Sequence, residues 1–202
     1  RPKRTEPTII ENLAITSAGA EGKAIARHEG IVVFVTGAVP GDVADVQVVK
    51  KKSSFIEAIA TRIVSPSADR TEPFCDHFGT CGGCKWQHLD YAKQTQYKQQ
   101  QVVDNLQRLG GLALPEVTPI LPSPTTTHYR NKLEFTFSNS RWFTREEIGT
   151  LGDTPDRNAL GFHIPRRFDR VLDIHTCHLQ PEPSNSIRNF FRAHARVHGL
   201  TF

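Results

Sequence analysis

The chain has 202 residues, 38% of them apolar, and a net charge of +4. That is enough for one sizeable domain or two small ones, and too apolar for a disordered tail. No stretch approaches membrane-spanning length and no apolar leader opens the chain, so no membrane partner and a cytoplasmic location are expected; the mildly basic balance admits nucleic acid without requiring it.

Residues 1–7 are polar, hold two prolines and predict a mobile arm. From residue 8 to 64 the pattern is short strands and turns. Strands are expected over 8–15, 23–27, 31–35, 43–49 and 55–64, separated by Gly19 and Gly22, by His28-Glu29-Gly30, by Pro40-Gly41-Asp42 and by Lys50-Lys51-Lys52. In the fourth, Ala44, Val46 and Val48 alternate with Asp45 and Gln47, a half-buried strand. Five short strands in so few residues predict a small closed barrel of the OB type, a fold that removes open edges and often carries oligonucleotides on one face.

Residues 65–71, rich in Ser, Pro and Asp, read as a linker. A cysteine-bearing loop follows. Asp90 then caps a helix running to about residue 109, where Gly110-Gly111 end it, and Val102, Val103, Leu106 and Leu109 give its second half an apolar face. Residues 115–124 form a proline-punctuated connector. Leu133, Phe135 and Phe137 alternate as a strand, residues 140–158 read as a surface loop, and residues 159–164 and 171–174 read as strands. Ser184 opens a last helix to residue 197, closed by Gly199. Arg188, Arg192 and Arg196 share one face of it, as a solvated stripe or a phosphate-contacting one.

The four cysteines carry the chemistry. Cys75-x5-Cys81-Gly82-Gly83-Cys84 is a cluster, and Cys177 follows Cys84 with 92 residues between them, in His175-Thr176-Cys177-His178. Thiolates are soft ligands that favour zinc or iron–sulfur clusters, and four of them predict a site tying two distant segments together. Gly82 and Gly83 are expected to let the backbone turn tightly and bring N–H groups toward the bound species. Structural disulfides conflict with the expected compartment, and a redox pair conflicts with the extra Cys75. Spacing leaves zinc and an iron–sulfur cluster unseparated, and His77, His88, His175 and His178 lie close enough in sequence for a mixed site. No Gly-x-Gly-x-x-Gly, P-loop or Ser/His/Asp set is present, and the metal site leaves no thiol for nucleophilic catalysis.

Cys81-Gly82-Gly83-Cys84-Lys85-Trp86-Gln87-His88, with Cys75 before it, Tyr91 and a Gln/Lys-rich helix after it, resembles the bacterial RNA uracil-5-methyltransferases, those acting on 23S rRNA. Tyr129-Arg130-Asn131-Lys132-Leu133-Glu134-Phe135 is similar to a second motif of that family, and the barrel is similar to a TRAM domain. The resemblance implies a [4Fe–4S] cluster on Cys75, Cys81, Cys84 and Cys177 with a structural role. It implies RNA contacts by Arg130, Asn131 and Lys132, and barrel-side phosphate contacts by Lys23, Arg27, Lys50, Lys51 and Lys52. Trp86 is expected to pack over the cluster. The family transfers a methyl group from S-adenosylmethionine to C5 of a uridine, using an added cysteine and a carboxylate base that match no residue here.

The expected fold is thus mixed β and α+β: a TRAM-like barrel over 8–64, a linker over 65–71, and an α+β iron–sulfur domain over 72–202, incomplete at its C-terminal end. The catalytic Rossmann-like domain is expected to be absent. The expected partner is RNA, 23S rRNA in particular, bound by a monomer that is inactive alone. The rival is a stand-alone RNA-binding module with a structural zinc site.

Overall fold

The computed structural model describes residues 7–201; the expected N-terminal arm lies, save Pro7, outside them. The residues group into two units that interleave in sequence. One comprises residues 1–72 and 85–122, the other 73–84 and 123–202.

The first unit opens with five strands, β1 (Ile9–Ala18), β2 (Ala24–His28), β3 (Ile31–Thr36), β4 (Val43–Lys51) and β5 (Phe55–Ser65). They close into a barrel in the order β1-β2-β3-β5-β4, with β4 returning to β1. All five expected strands are present. Strand alternation places Val33 and Val35 of β3, Val46 of β4 and Ile56 and Ala58 of β5 inside, each at most 2% exposed. With Ile10, Leu13, Ile15, Ala24 and Ala26 they form one apolar core. β3 and β5 pair in parallel, so the chain crosses the barrel end between them.

A carboxylate locks that end. Asp42, in the turn before β4, is fully buried and accepts from the backbone N–H of Val39 (2.8 Å) and Ser67 (2.9 Å). It also accepts two hydrogen bonds from Arg70, Nε at 3.2 Å and Nη2 at 2.6 Å. The stretch expected as a linker is therefore tied to the barrel. Asp69 and Thr71 bond on to Asp90 and His88, and Arg70 pairs with Leu89 in a single bridge.

Asp90 caps α1 (Tyr91–Asp104) as expected, accepting from the N–H of Ala92 (3.0 Å) and Lys93 (3.3 Å). A π-helical turn over Asn105–Leu109 continues it to Gly110. The expected apolar face is not buried: Val102 is 56% and Leu109 83% exposed. Gln94 instead anchors the helix, donating to the carbonyls of Trp86 (2.9 Å) and Leu89 (2.8 Å).

The second unit holds a four-stranded sheet in the order β6-β8-β9-β7, made of β6 (Thr136–Ser138), β7 (Arg141–Trp142), β8 (Ala159–Ile164) and β9 (Arg167–Asp173). The strand expected over 133–137 pairs only from Thr136, although Leu133 and Phe135 still pack on the core. The expected surface loop contains β7 and a short helix, α2 (Arg145–Ile148), closed by a Thr144/Glu147 capping box. β9 begins four residues earlier than its apolar part, in Arg167. Gly161 of β8 has no room for a side chain, because a Cβ would collide with the Leu172 carbonyl of β9.

The last helix, α3 (Ser184–Val197), spans the expected residues, but Pro183 stands at its N-cap and the Ser184 hydroxyl donates to Gln180 (2.7 Å) instead of capping. Its arginine stripe is largely taken up by protein groups, and only Arg196 is exposed. Arg188 is 4% exposed. Arg192 and Arg196 pair with the buried Asp173 at 3.3 and 3.4 Å, and Arg196 also with Asp156 at 3.1 Å. The stripe faces the sheet and binds the helix to it. Among the described residues no helix is long and apolar enough to cross a membrane.

Candidate functional sites

In the second unit the three clustered cysteines sit on a tight loop. The Phe78 N–H donates to the Cys75 carbonyl, and the Cys81 N–H to the His77 carbonyl, both at 2.9 Å. Cys81 and Cys84 pack against the core cluster that contains the buried Cys177, and all four cysteines are free thiols. Burial pushes the thiols of Cys75 and Cys81 above their ordinary range. The other cysteines push them further the same way, Cys84 and Cys177 acting on both. Neighbouring thiols thus oppose the ionisation of Cys75 and Cys81, a repulsion that a bound cation would relieve. No group of three or more His, Cys, Asp or Glu among the described residues is arranged as a site for a metal ion.

Two features of this loop were not legible in the sequence. Gly82 is required by close approach, since a Cβ there would lie 2.6 Å from Pro165 Cγ; it is not at positive φ, so the expected turn role gives way to a packing one. Asn185 of α3 clamps the backbone of Cys177 from both sides, its Oδ1 accepting from the Cys177 N–H (2.8 Å) and its Nδ2 donating to the Cys177 carbonyl (3.0 Å). The expected histidines divide. The His77 and His175 rings stack at 6.2 Å, and the His175 N–H donates to His77 Nε2 (3.2 Å). That acceptor role requires a neutral His77, and burial, then the neighbouring His175, pulls its pKa down accordingly. His178 meets Phe74 edge-on at 5.3 Å.

The chain after Cys177 also positions the second motif. The N–H groups of His128 and Arg130 donate to the carbonyls of His178 and Leu179, both at 2.8 Å. Arg130 and Asn131 then line a cleft of about 630 Å³ with Phe135, Phe137, Ile187 and Phe191 on its walls. A concave, apolar cavity with a few convergent polar groups is a normal ligand site. Lys132 does not line it; its Nζ is paired with Glu134 at 2.7 Å in solvent. A second groove of about 890 Å³ carries Trp142, Phe143, Arg145, Arg167 and Arg170. Its positive charge is offset in part, because Asp169 pairs with both Arg167 and Arg170.

In the first unit the expected basic residues sit on the barrel exterior. Arg27, Lys50, Lys51 and Lys52 are exposed and Lys23 is half-buried. Phe34 and Phe55 meet edge-on at 5.9 Å, with Lys23 Nζ 5.8 Å from the Phe34 centroid and Lys52 Nζ 5.4 Å from the Phe55 centroid. Two half-buried aromatics flanked by two lysines make a stacking platform with cations at both ends. Sequence reading named the lysines and missed the rings, although Phe34 and Phe55 sit where strand alternation turns outward.

These features define a closed five-stranded barrel of the OB type and a separate cysteine-bearing α+β unit. Residues 10–61 match the TRAM domain family. A Bacteroides thetaiotaomicron protein named "Uncharacterized RNA methyltransferase" is 52% identical over 183 residues, which is 91% of this chain and 40% of that protein. The 23S rRNA (uracil(1939)-C(5))-methyltransferase of Nitrosospira multiformis is 34% identical over 178 residues, 88% of this chain and 36% of that one. The chain is thus similar to these proteins along most of its own length, and it spans about 40% of the length of the first of them. The tRNA (uracil-54, C5)-methyltransferase of Pyrococcus abyssi, solved with S-adenosyl-L-homocysteine, shares the fold over 93% of this chain and 37% of its own, at 18% identity and a TM-score of 0.53. Because that neighbour is a methyltransferase, the likeness does not support the expectation that the catalytic domain is absent from this chain. Nothing in these likenesses supports the stand-alone zinc module.

Proposed function

We propose that this chain forms the RNA-recognition part of an S-adenosylmethionine-dependent methyltransferase that modifies C5 of a uridine in 23S rRNA. The observation that carries the reading is the cleft of Arg130 and Asn131, whose backbone is hydrogen-bonded to the segment following Cys177. Cys75, Cys81, Cys84 and Cys177 would hold a [4Fe–4S] cluster; all four are free, and Cys81 and Cys84 pack against the core cluster that contains Cys177, which suits a set of soft thiolate ligands. When bound, the cluster supplies structure: it fixes the cysteine loop to the end of β9.

The chain's own residues would do the recognition. Unstacked bases suit the aromatic walls of the cleft, with Arg130 and Asn131 offering hydrogen bonds to base edges or sugar. Lys23, Arg27, Lys50, Lys51 and Lys52 would carry phosphate contacts, and Phe34 and Phe55 would stack on bases. Lys132 is the weakest of the proposed contacts because Glu134 already holds it. With all four thiols assigned to the cluster, none remains to add to the uracil ring, and the chain alone is expected to transfer no methyl group.

The test is binding of 23S rRNA fragments by the chain at several salt concentrations. Arg130→Ala is expected to weaken the preferred fragment by about 1–3 kcal/mol and to reduce discrimination. Lys52→Ala is expected to weaken all fragments alike and to lower the salt slope by about 1. Equal affinity of wild type and both variants would remove the proposed interface, and methyl transfer by the chain alone would overturn its division of labour.

A further inference from the structure

A buried guanidinium needs an anion, because an unpaired charge in a protein interior is strongly disfavoured. Arg188 of α3 is 4% exposed. Its Nη2 donates to the His175 carbonyl at 2.6 Å, and its guanidinium lies 4.9 Å from the Phe135 ring centroid. Its Nε and Nη1 are shut off from solvent and have no hydrogen-bond partner among the described residues. Arg192 and Arg196, on the same helix face, have Asp173. Arg188 has no carboxylate at ion-pair distance among the described residues and is left with unused donors.

What anion faces it can be settled by access. Arg188 contributes to the wall of the 630 Å³ cleft, but Nε and Nη1 are closed to solvent, so a ligand entering the cleft does not reach them. Arg188 bonds the carbonyl two residues before Cys177, and Asn185, one turn earlier on α3, holds Cys177 itself. Burial opposes the charge of Arg188 most strongly; among the groups that favour it, Cys177 acts most, ahead of Glu182 and Asp173, while Arg192 opposes it.

We propose that Arg188 is the fixed counter-cation of the four-cysteine centre, its spare N–H groups directed at the sulfur-rich side of Cys177. The inference rests on reading Cys75, Cys81, Cys84 and Cys177 as a metal centre. Four thiolates carry more negative charge than either a [4Fe–4S] core or a zinc ion cancels, so one buried cation lowers the cost of assembling them in either case. α3 thereby grips the centre twice, through Asn185 on the backbone and through Arg188 on the charge.

The test compares wild type with Arg188→Gln and Arg188→Met, all prepared without oxygen as the full chain. Iron, acid-labile sulfide and zinc are measured first on wild type; a wild type that binds none of them refutes the metal centre itself, separately from the role of Arg188. With metal bound, both variants are expected to release it to a chelator about tenfold faster or more. Arg188→Met replaces the charge with an apolar chain that a buried site tolerates, and so serves where Arg188→Gln fails to fold. For an iron–sulfur centre, losing the cation is also expected to move the midpoint potential negative, a change that loosened packing alone does not dictate. A folded variant that keeps metal at the wild-type rate overturns the proposal. So does one that keeps metal but loses RNA affinity, which would assign the arginine to the cleft.

Discussion

On the proposed four-cysteine centre, Cys177→Ser is expected to abolish metal binding and most of the RNA affinity in one step. Serine is nearly isosteric, but its hydroxyl does not ionise near neutral pH and is a hard oxygen where a soft thiolate is wanted. The site has little room to adapt, because Cys177 is 8% exposed and its backbone is held by Asn185 at both N–H and carbonyl. Three thiolates without the fourth repel one another and revert to thiols, which burial already favours at Cys75 and Cys81. The consequence travels through backbone hydrogen bonds: Leu179, two residues on, receives the Arg130 N–H, and His178 receives that of His128. When the segment after Cys177 loosens, the wall of the cleft loosens with it. Iron analysis is expected to fall from about four per chain toward zero, and the affinity for the preferred rRNA fragment is expected to drop about tenfold or more, as for loss of a specific contact. RNA affinity that survives complete metal loss would show that the centre does not shape the cleft.

How far these sites were legible depended on whether their signal was local. Strand alternation located all five barrel strands, since the inward positions of 31–35 and 43–49 are set by a two-residue period and need no partner to be read. Cysteine spacing singled out the thiol set for the same reason. The arginine stripe of α3 shows the limit. An i, i+4 period shows that Arg188, Arg192 and Arg196 share a face, but not which way that face turns. The answer lay in Asp173 and the His175 carbonyl, 13 to 23 residues away, and in the sheet that brings them under the helix. Gly82 was legible as a glycine and illegible in its reason, because Pro165 approaches it from a strand pair 83 residues downstream. The apolar face of α1 misled in the opposite sense. Its periodicity is real, but Gln94 and Asp90 hold the helix, and Val102 and Leu109 remain exposed. Residues 65–71 looked like a linker from composition alone, and only the buried oxygens of Asp42 reveal what Ser67 and Arg70 are for.

Asp42→Ala is expected to destabilise the barrel by about 3 kcal/mol or more. The substitution strands two backbone N–H groups, of Val39 and Ser67, and leaves Arg70 without its carboxylate. Breaking one side of a buried pair costs about 3–5 kcal/mol when the remaining charge stays buried. Arg70 retains 23% side-chain exposure and can turn part of its charge to water, which places the loss near the lower end; the orphaned N–H groups add to it. Asp42→Asn keeps the shape and one acceptor and is expected to cost less. The pH dependence separates charge from shape. Burial works against the ionised form of Asp42, but the Arg70 bond and the N–H groups of Ser67 and Val39 outweigh it and hold the carboxyl below the ordinary value of 3.8. A carboxyl with a folded pKa below its unfolded one contributes stability that is fully present above the unfolded pKa and is lost as pH falls through the folded one. The stability gap between wild type and Asp42→Asn, measured by urea unfolding, is therefore expected to stay constant from pH 7 to about 5 and to close only below the ordinary carboxylate range. A gap that stays constant even through and below the ordinary carboxylate range would mean that Asp42 holds the turn by its shape, and that the Arg70 ion pair contributes little to closing the barrel.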